Sequence, residues 1–320
     1  MILLWGVPGD GPLDSVAAAL RTLSVPWRLL DQRGAGRSVI RARVARGRFV
    51  LKVQSPAPVH GNDCGPTGCE PIDFDAVGAF YLRPVETERA LSADSVPAPA
   101  LLCKAQAVEQ AIVEWADSAP ALVLNRPSAM AVNNSKPYQL RTIAQHGFDV
   151  PPTLVTTDPH AVRAFATRYA RLVYKSVSGV RSVVNVLDDG RLDDLGDVAN
   201  SPTQFQAYVP GRDVRVHIVG DEVFATEIRS RAYDYRYAGQ SGEDVAMDRI
   251  ELPCELAERC RMLAHAMRLP LAGIDLRRTP DGRWVCFEVN PSPAFVYYEA
   301  ATGQPIGAAI ARLLAQAAAA

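Results

Sequence analysis

Residues 271–291 read LAGIDLRRTPDGRWVCFEVNP and carry the clearest structural signal in the chain. Two apolar runs flank Asp281-Gly282, and this dipeptide between such runs is typical of a β-hairpin because both residues tolerate positive φ. If Asp281 and Gly282 form a two-residue loop, Asp275 pairs with Glu288. The sequence therefore predicts a hairpin with two carboxylates directly opposite each other.

Side chains alternate between the two faces of a strand, so the predicted register also predicts the faces. The polar face carries Asp275, Glu288 and Asn290. The apolar face is expected to carry Ile274, Leu276, Phe287 and Val289. Two facing carboxylates repel unless something neutralises them, and two carboxylates with an amide suit Mg²⁺. The alternative is a solvated acidic face without a metal.

The composition excludes several classes of protein. The 320 residues are 48% hydrophobic and 22% charged, with a formal net charge of −1, as is ordinary for a chain with two or three subdomains. There is no basic excess of the kind that nucleic acids or anionic membranes attract. The apolar start, residues 1–6, is too short for the apolar region of a signal peptide and lacks a basic residue, and no apolar run approaches the roughly 18 residues of a membrane span. We expect a cytoplasmic protein that binds neither nucleic acid nor membrane.

The six cysteines are expected to be reduced thiols, because no secretory signal precedes them. Cys64 and Cys69, in GNDCGPTGCE, are the only close pair, and their spacing fits no zinc pattern well. We interpret that segment as an irregular loop, with metal binding as the weaker alternative. Apolar contexts predict core positions for the other four: Cys103, Cys254, Cys260 and Cys286.

Residues 1–118 are predicted to form a small α/β domain, because short apolar strands alternate with amphipathic helices from residue 2 onward. Residues 39–53 read as a hairpin. No catalytic cluster occurs in this part of the sequence. Arg83, in YLRP, is a candidate substrate contact.

Two lysines adjoin segments that suit phosphate binding. Lys136 stands at the start of a predicted helix that Ser135 can cap and Gly147 ends. Lys175 lies on a strand followed by the Ser- and Gly-containing residues 176–181, whose backbone N–H groups can surround phosphates. The structural alternative is an ordinary strand–turn–strand unit with one lysine.

Residues 204–220, QFQAYVPGRDVRVHIVG, predict two strands separated by Pro210-Gly211. A third strand follows, and arginines crowd into residues 227–236, EIRSRAYDYR. The chain thus contains, one after another, two lysines, a flexible loop, an arginine cluster and a hairpin with three oxygen ligands. That set resembles the ATP-grasp fold, and the RimK-type carboxylate-amine ligases in particular.

The segments QAYVPGRDVRV, GIDLRR and FEVNP carry this resemblance most specifically, and it covers residues 120–317. It implies an α/β (α+β) protein in which a small pre-ATP-grasp domain, residues 1–118, precedes an ATP-grasp domain, residues 119–320. The latter is expected to comprise a lid subdomain at about 138–203 and a catalytic core at about 204–317, on the same resemblance.

The resemblance also implies a nucleotide site. Lys136 and Lys175 would hold the ATP phosphates from two sides of a cleft, and Asp213 would meet the ribose. The lid loop would use Ser176, Ser178 and Gly179. The adenine hinge would use Gln206, Ala207, Tyr208 and Val209, through backbone groups of Ala207 and Val209.

Catalytic and metal-binding roles follow from the same resemblance. Arg229 would face the γ-phosphate or acyl phosphate, while Arg215 and Arg236 would hold the substrate carboxylate. Two Mg²⁺ ions, with Mn²⁺ as an alternative, would bind Asp275, Glu288 and Asn290.

The implied reaction is ATP-dependent ligation of a carboxylate to an amine or hydroxyl through an acyl phosphate, which requires positioning and charge neutralisation more than acid–base chemistry. The carboxylate would belong to a small molecule or a precursor peptide, and a homodimer is left open. Asp234-Tyr235-Arg236 and YLRP resemble enzymes that crosslink ribosomal peptides, although Asn290 is followed by PSPAF rather than a glycine-containing sequence.

Two other classes stay open. One is a kinase that stops after phosphoryl transfer, since the same nucleotide site serves both reactions. The other is a nucleotide-binding module without turnover. The complete set of lysines and carboxylates favours an enzyme over the second, because a degenerate site is free to lose charges that repel.

Overall fold

The computed structural model describes residues 1–45, 48–56, 60–61, 70–92, 96–131, 135–177, 185–230 and 244–320. Within these residues, helices and strands alternate along the chain and form four β-sheets. No helix in the described part of the chain has the length and apolar character that a bilayer crossing requires.

The N-terminal part contains a mostly parallel sheet and a small antiparallel sheet. Its elements are β1 (Ile2–Gly6), α1 (Gly11–Leu23), β2 (Trp27–Asp31), β3 (Val39–Ala45), β4 (Arg48–Gln54), β5 (His60–Gly61), β6 (Ile72–Asp73), β7 (Ala79–Arg83), α2 (Thr87–Leu91), α3 (Pro99–Ser118) and β8 (Leu122–Leu124). The larger sheet has the order β5-β2-β1-β7-β8, and β3, β4 and β6 form the smaller one. The predicted α/β organisation and the predicted hairpin are confirmed. Strand β8 lies beyond residue 118, so the exact domain division stays a prediction.

The remaining elements follow in chain order. They are α4 (Pro127–Met130), α5 (Lys136–Gln145), β9 (Thr153–Thr156), α6 (Pro159–Arg168), β10 (Leu172–Ser176), β11 (Asn185–Leu187), α7 (Asp189–Asp193), β12 (Thr203–Ala207), β13 (Arg212–Val219), β14 (Glu222–Ser230), β15 (Val245–Ile250), α8 (Cys254–Ala266), β16 (Leu271–Arg278), β17 (Trp284–Asn290), α9 (Val296–Thr302) and α10 (Ile306–Ala319). They include two antiparallel sheets, with the orders β11-β10-β12-β9 and β15-β14-β13-β16-β17.

The N-terminal sheet is covered on both faces, because its central strand β1 is apolar throughout. Leu3 and Trp5 lie in a core with residues of α3. Ile2 and Leu4 lie in a second core with residues of α1 and of the C-terminal helix α10. The end of the chain therefore returns to the sheet with which the chain begins.

The turn of the β16–β17 hairpin is one residue longer than predicted. The N–H of Thr279 donates to the carbonyl of Arg283, which leaves residues 280–282 in the loop. Gly282 adopts a φ of 85°, as expected of a three-residue hairpin loop that ends with a left-handed glycine. The Asp-Gly signal located the hairpin correctly, but the two-residue loop was wrong.

A β-bulge compensates for the longer turn. Asp275 still pairs with Glu288, as predicted, because the register shifts by one residue between Asp275 and Leu276 and leaves Phe287 as the extra residue. Val289 is in the core, as predicted. Phe287 is half-buried outside that core, with its ring centroid 5.1 Å from the guanidinium carbon of Arg277. The prediction that Phe287 shares the apolar face with Ile274, Leu276 and Val289 was wrong.

The cysteines divide between core and surface. Cys260 and Cys286 are buried, as predicted, whereas Cys103 and Cys254 are exposed, which contradicts the prediction for these two. Cys64 and Cys69 lie outside the described residues.

Candidate active site

The site is centred on the carboxylate pair of the hairpin. Gly273 pairs with Asn290, two residues along the ladder from the pair of Asp275 and Glu288. The side-chain nitrogen of Asn290 donates to Asp275 Oδ2 at 3.1 Å and to Glu288 Oε1 at 3.3 Å. The side chains of Asp275, Glu288 and Asn290, which the sequence assigned to one face, therefore converge.

Three cationic side chains surround this pair. Lys136 Nζ lies 3.0 Å and Lys175 Nζ 3.5 Å from Glu288 Oε2, and Arg215 Nη1 lies 2.6 Å from Asp275 Oδ1. The two lysines are only 4% and 9% exposed, and Arg215 is 6% exposed. Each carboxylate thus has its own cationic partner. Their mutual repulsion is relieved by the protein itself, which the sequence alone did not indicate.

Lys136 reaches the cluster from the first turn of α5. Ser135 occupies the N-cap position, but its side chain makes no capping hydrogen bond, so the predicted cap is absent. Gln139, one turn further on, donates to the carbonyl of Val289 at 2.7 Å and accepts from its N–H at 3.1 Å. This buried amide holds α5 on β17 and was missed in the sequence, since nothing local distinguishes it from a surface glutamine.

Arg215 is positioned by strand pairing, since it lies opposite Asp275 in the β13–β16 ladder. Gly273 makes room for it: a Cβ added there would meet the Arg215 guanidinium first and then Pro293 Cβ at 2.8 Å. His217, which is fully buried, accepts from Arg215 Nε at 3.5 Å. Burial, and then the charge of Arg215, hold the pKa of His217 well below its usual value. His217 is therefore a neutral support behind Arg215.

The predicted adenine hinge and ribose contact meet at Arg277. Its Nη1 donates to the carbonyl of Val209 at 2.8 Å, and its Nε donates to Asp213 Oδ1 at 2.8 Å. Phe287 lies beside the same guanidinium. Sequence reasoning missed Arg277, although it stands two residues after Asp275 and the period of a strand puts both on one face.

The other hinge residues end β12 or follow it. Ala207 N–H donates to the carbonyl of Pro152 at 3.0 Å. Gln206 Nε2 donates to Thr153 Oγ1 at 3.0 Å. The Tyr208 ring centroid lies 4.5 Å from the guanidinium carbon of Arg171.

Arg229 is not brought into the cluster. Thr226 of β14 pairs with Arg215 and Ile228 pairs with Asp213, so Arg229 points to the opposite face of the sheet. Its guanidinium forms an ion pair with Asp248, and both side chains are about half exposed, at 52% and 51%. The γ-phosphate contact predicted for Arg229 lacks a structural basis.

Three other predicted residues, Ser178, Gly179 and Arg236, lie outside the described residues. Ser176 is the last residue of β10, where its backbone pairs with Thr203.

The hairpin face fits a hard divalent cation. In the described part of the chain, no group of three His, Cys, Asp or Glu side chains is arranged to hold a metal. Two carboxylates and one amide do converge, and Mg²⁺ commonly takes one or two carboxylates and completes its shell with phosphates and water. Asn290 would have to turn its amide so that oxygen, rather than nitrogen, faces the ion.

This arrangement of two antiparallel sheets, with cations from both meeting a carboxylate hairpin, is that of an ATP-grasp protein. A sequence profile described as the RimK-like ATP-grasp domain matches residues 133–314, and the chain belongs to this family. The predicted family and fold are confirmed.

Two curated relatives are similar over part of the chain. Beta-citrylglutamate synthase B of Danio rerio is 27% identical over 204 residues, which cover 59% of this chain and 49% of that protein. The ribosomal protein bS6–L-glutamate ligase of Escherichia fergusonii is 31% identical over 201 residues, which cover 59% of this chain and 66% of that protein. The chain thus spans less than two thirds of either relative.

A solved structure is similar over nearly the whole chain. It is the ATP-grasp ligase PsnB complexed with a phosphomimetic variant of minimal precursor, Mg and ADP. Its TM-score is 0.79 at 24% identity, with 99% of this chain and 98% of that chain covered. At this identity the likeness concerns the fold, and it includes the N-terminal sheet.

Proposed function

We propose that this protein is an ATP-dependent carboxylate-amine ligase that activates a carboxylate as an acyl phosphate. One observation carries the proposal: Lys136, Lys175 and Arg215 converge on Asp275 and Glu288 within 3.5 Å, with each cation nearly buried. Buried charges in such number are costly to maintain, and clusters of this kind occur mainly at functional sites. The described charges, three positive and two negative, suit a ligand that brings both phosphate and metal.

The nucleotide would lie along the cluster with its base toward the hinge. Phe287 offers an aromatic face there, and the Arg277–Asp213 pair marks the ribose end. Lys136 and Lys175 would exchange Glu288 for the phosphates. Asp275, Glu288 and Asn290 would then hold Mg²⁺, which supplies neutralisation of the phosphate charge.

In the first step, one carboxylate oxygen of the substrate bonds to the γ-phosphorus, and the bond to the β–γ bridging oxygen breaks to release ADP. Both reactants are anions, so the barrier is lowered by positive groups held in place beforehand. Arg215 serves this purpose because Asp275, His217 and the space above Gly273 fix its guanidinium.

In the second step, an amine or hydroxyl attacks the acyl carbon, the bond from that carbon to the oxygen bridging to phosphorus breaks, and phosphate leaves with the bridging oxygen. The nucleophile loses one proton, which passes to the released phosphate or to solvent. Water must be excluded while the acyl phosphate exists. The sheet β11-β10-β12-β9, which contributes Lys175, is suited to that task.

The relatives support two substrate classes. The names of the two curated relatives contain citrylglutamate and L-glutamate, and PsnB was also solved with a precursor peptide. Both classes require the same activation of a carboxylate. The metal number, the alternative use of Mn²⁺, a cytoplasmic location and a homodimer stay predictions.

The test uses hydroxylamine as a nucleophile that needs no acceptor site. The protein is incubated with Mg-ATP, hydroxylamine and one probe acid, either citrate, L-glutamate or a peptide that contains Asp and Glu. ADP, phosphate and hydroxamate should appear in equal amounts with at least one probe. Arg215→Met should abolish hydroxamate formation, whereas Arg229→Met should retain it.

Other products would decide against the proposal. AMP and pyrophosphate would mean that the α-phosphorus is attacked and that the site is misassigned. A stable phosphorylated acid that forms equally with and without hydroxylamine would indicate a kinase. Nucleotide binding without any product from these probes would indicate a binding module.

A further inference from the structure

Arg83 connects the N-terminal sheet to the chain that follows Asn290. Its Nε donates to Oδ2 of Asp10, which follows β1 of the N-terminal sheet, at 2.6 Å. Its Nη1 donates to Ser292 Oγ at 3.0 Å and to the carbonyl of Pro293 at 3.4 Å. The side chains of Arg83 and Asp10 are only 13% and 24% exposed. A single guanidinium thus bridges two parts of the chain more than 200 residues apart in sequence.

Arg83 stands at a special point of the N-terminal sheet. The strands β1, β2 and β7 are parallel, and β2 and β7 flank β1 on opposite sides. The crevice at the carboxyl ends of such neighbouring strands is where open α/β sheets bind ligands. Here the crevice is occupied by the Asp10–Arg83 pair and adjoins residues 291–293.

The segment held by Arg83 follows directly after a predicted metal ligand. Pro291 accepts a hydrogen bond from Asn125 Nδ2, and Phe295 is fully buried. Between these anchors, Pro293 lies against Gly273, beside the guanidinium of Arg215. Arg83 therefore holds the middle of a short segment, and that segment contacts the candidate active site at Gly273, beside Arg215.

We propose that Arg83 is a positioning residue for the ligase reaction. Arg83 fixes residues 291–293, and these residues in turn fix Asn290 and the contact of Pro293 with Gly273 beside Arg215. The expected effect of Arg83 on kcat rests on the proposed function, whereas its effect on the structure of residues 291–293 does not. Among the described residues, the N-terminal sheet contributes no side chain to the cluster of Lys136, Lys175, Arg215, Asp275 and Glu288. The proposed role of Arg83 explains how this sheet nevertheless takes part in the reaction.

Only an arginine can make these contacts together. The guanidinium presents its donors as a rigid planar fork, so one edge binds the Asp10 carboxylate while Nη1 reaches the loop. Burial lowers the pKa of Arg83, but the neighbouring Tyr81 and the bond to Asp10 outweigh this and leave the pKa raised. A lysine could keep the ion pair with Asp10 but could not hold Ser292 and Pro293 as well.

The experiment compares Arg83→Met and Arg83→Lys with Arg33→Met. Arg33 is a matched control because it pairs with Asp31 at the same edge of the same sheet, also at 2.6 Å, and is more exposed. Hydrogen exchange of the peptide covering residues 291–295 should accelerate roughly tenfold in both Arg83 variants. In the Arg33 variant it should be unchanged.

The kinetic readout uses the hydroxamate assay. Displacement of a reacting group by about 1 Å can cost roughly 10²-fold in rate, so kcat should fall by about that factor in Arg83→Met. The Kd for Mg-AMPPNP should stay within about twofold, because no phosphate contact is lost, and Arg83→Lys should retain the fold through its ion pair.

The outcomes separate the two proposals. Unchanged exchange of residues 291–295 in both Arg83 variants would overturn the positioning role, whatever the activity. Equal losses in kcat and in Mg-AMPPNP affinity would also overturn it, because they indicate general damage. Absence of hydroxamate in the wild type would contradict the proposed function, while the exchange comparison would still decide the role of Arg83.

Discussion

The substitution Glu288→Gln tests the charge balance between the cations Lys136, Lys175 and Arg215 and the carboxylates of Asp275 and Glu288. Two ammonium groups, those of Lys136 and Lys175, contact one carboxylate oxygen of Glu288 at 3.0 and 3.5 Å. The lysines are 4% and 9% exposed, and the Glu288 side chain is 13% exposed. From the sequence alone, removal of one of two facing carboxylates should relieve repulsion. The structure reverses that expectation, because removal leaves two buried cations without their shared anion.

The expected magnitude follows from this geometry. Removal of one partner from a buried ion pair typically costs about 3–5 kcal/mol, because the remaining charge is uncompensated. Glutamine retains an oxygen that accepts a hydrogen bond, so we expect the lower end, about 3 kcal/mol, in the ligand-free protein. Turnover should also be lost, since a predicted metal ligand has lost its charge.

The assay is urea unfolding at pH 7.5 without nucleotide, followed by circular dichroism. Glu227→Gln is the matched control: it removes a carboxylate of the same sheet that pairs with Arg212 at 2.9 Å, but this arginine is 62% exposed. An exposed pair contributes at most about 1 kcal/mol, so the control should stay close to wild type. If Glu288→Gln were as stable as wild type or more stable, repulsion between Asp275 and Glu288 would outweigh the lysine contacts and our reasoning would fail.

Two further predictions concern His217 and Phe287. Because the pKa of His217 is lowered by burial, the unfolded chain takes up a proton below about pH 6.5 that the native chain does not. The free energy of unfolding should therefore fall with decreasing pH by up to about 1.4 kcal/mol per unit between the unfolded and folded pKa, and His217→Gln should flatten this part of the urea-derived profile. Identical slopes in both proteins would contradict the neutral state of His217. Phe287→Ala should weaken Mg-AMPPNP binding roughly tenfold, as loss of an aromatic face for a base does, and Phe287→Tyr should retain most of the affinity in the same titration. Unchanged binding in both would mean that the base lies elsewhere.

Local patterns in the sequence were sufficient for the family and for the facing carboxylates. The Asp281-Gly282 signal located the hairpin, and the pairing of Asp275 with Glu288 was correct although the loop is one residue longer than assumed. These features depend on neighbours in the chain and on the period of a strand. The motif segments around Asp213 and Asp275 then identified the family.

Two errors arose where a single residue changes the face of a strand. The bulge at Phe287 restores the register at Glu288 but turns the phenyl ring out of the core. Arg229 is one residue away from the face that holds Arg215, and a count of arginines in the sequence cannot show this. Side-chain direction in a strand depends on register with its neighbours, which is a property of the assembled sheet.

The sequence by itself determined the hairpin, the lysines at the helix and strand ends, and the family to which they belong, because each is encoded within a short window. Only the tertiary structure decided which cation neutralises which carboxylate, that Arg277 bridges Val209 and Asp213, and that Arg83 holds residues 292–293. Such contacts join residues 60 to 210 positions apart. Their energies depend on distance and burial, and both are set only when the separate sheets and helices pack together.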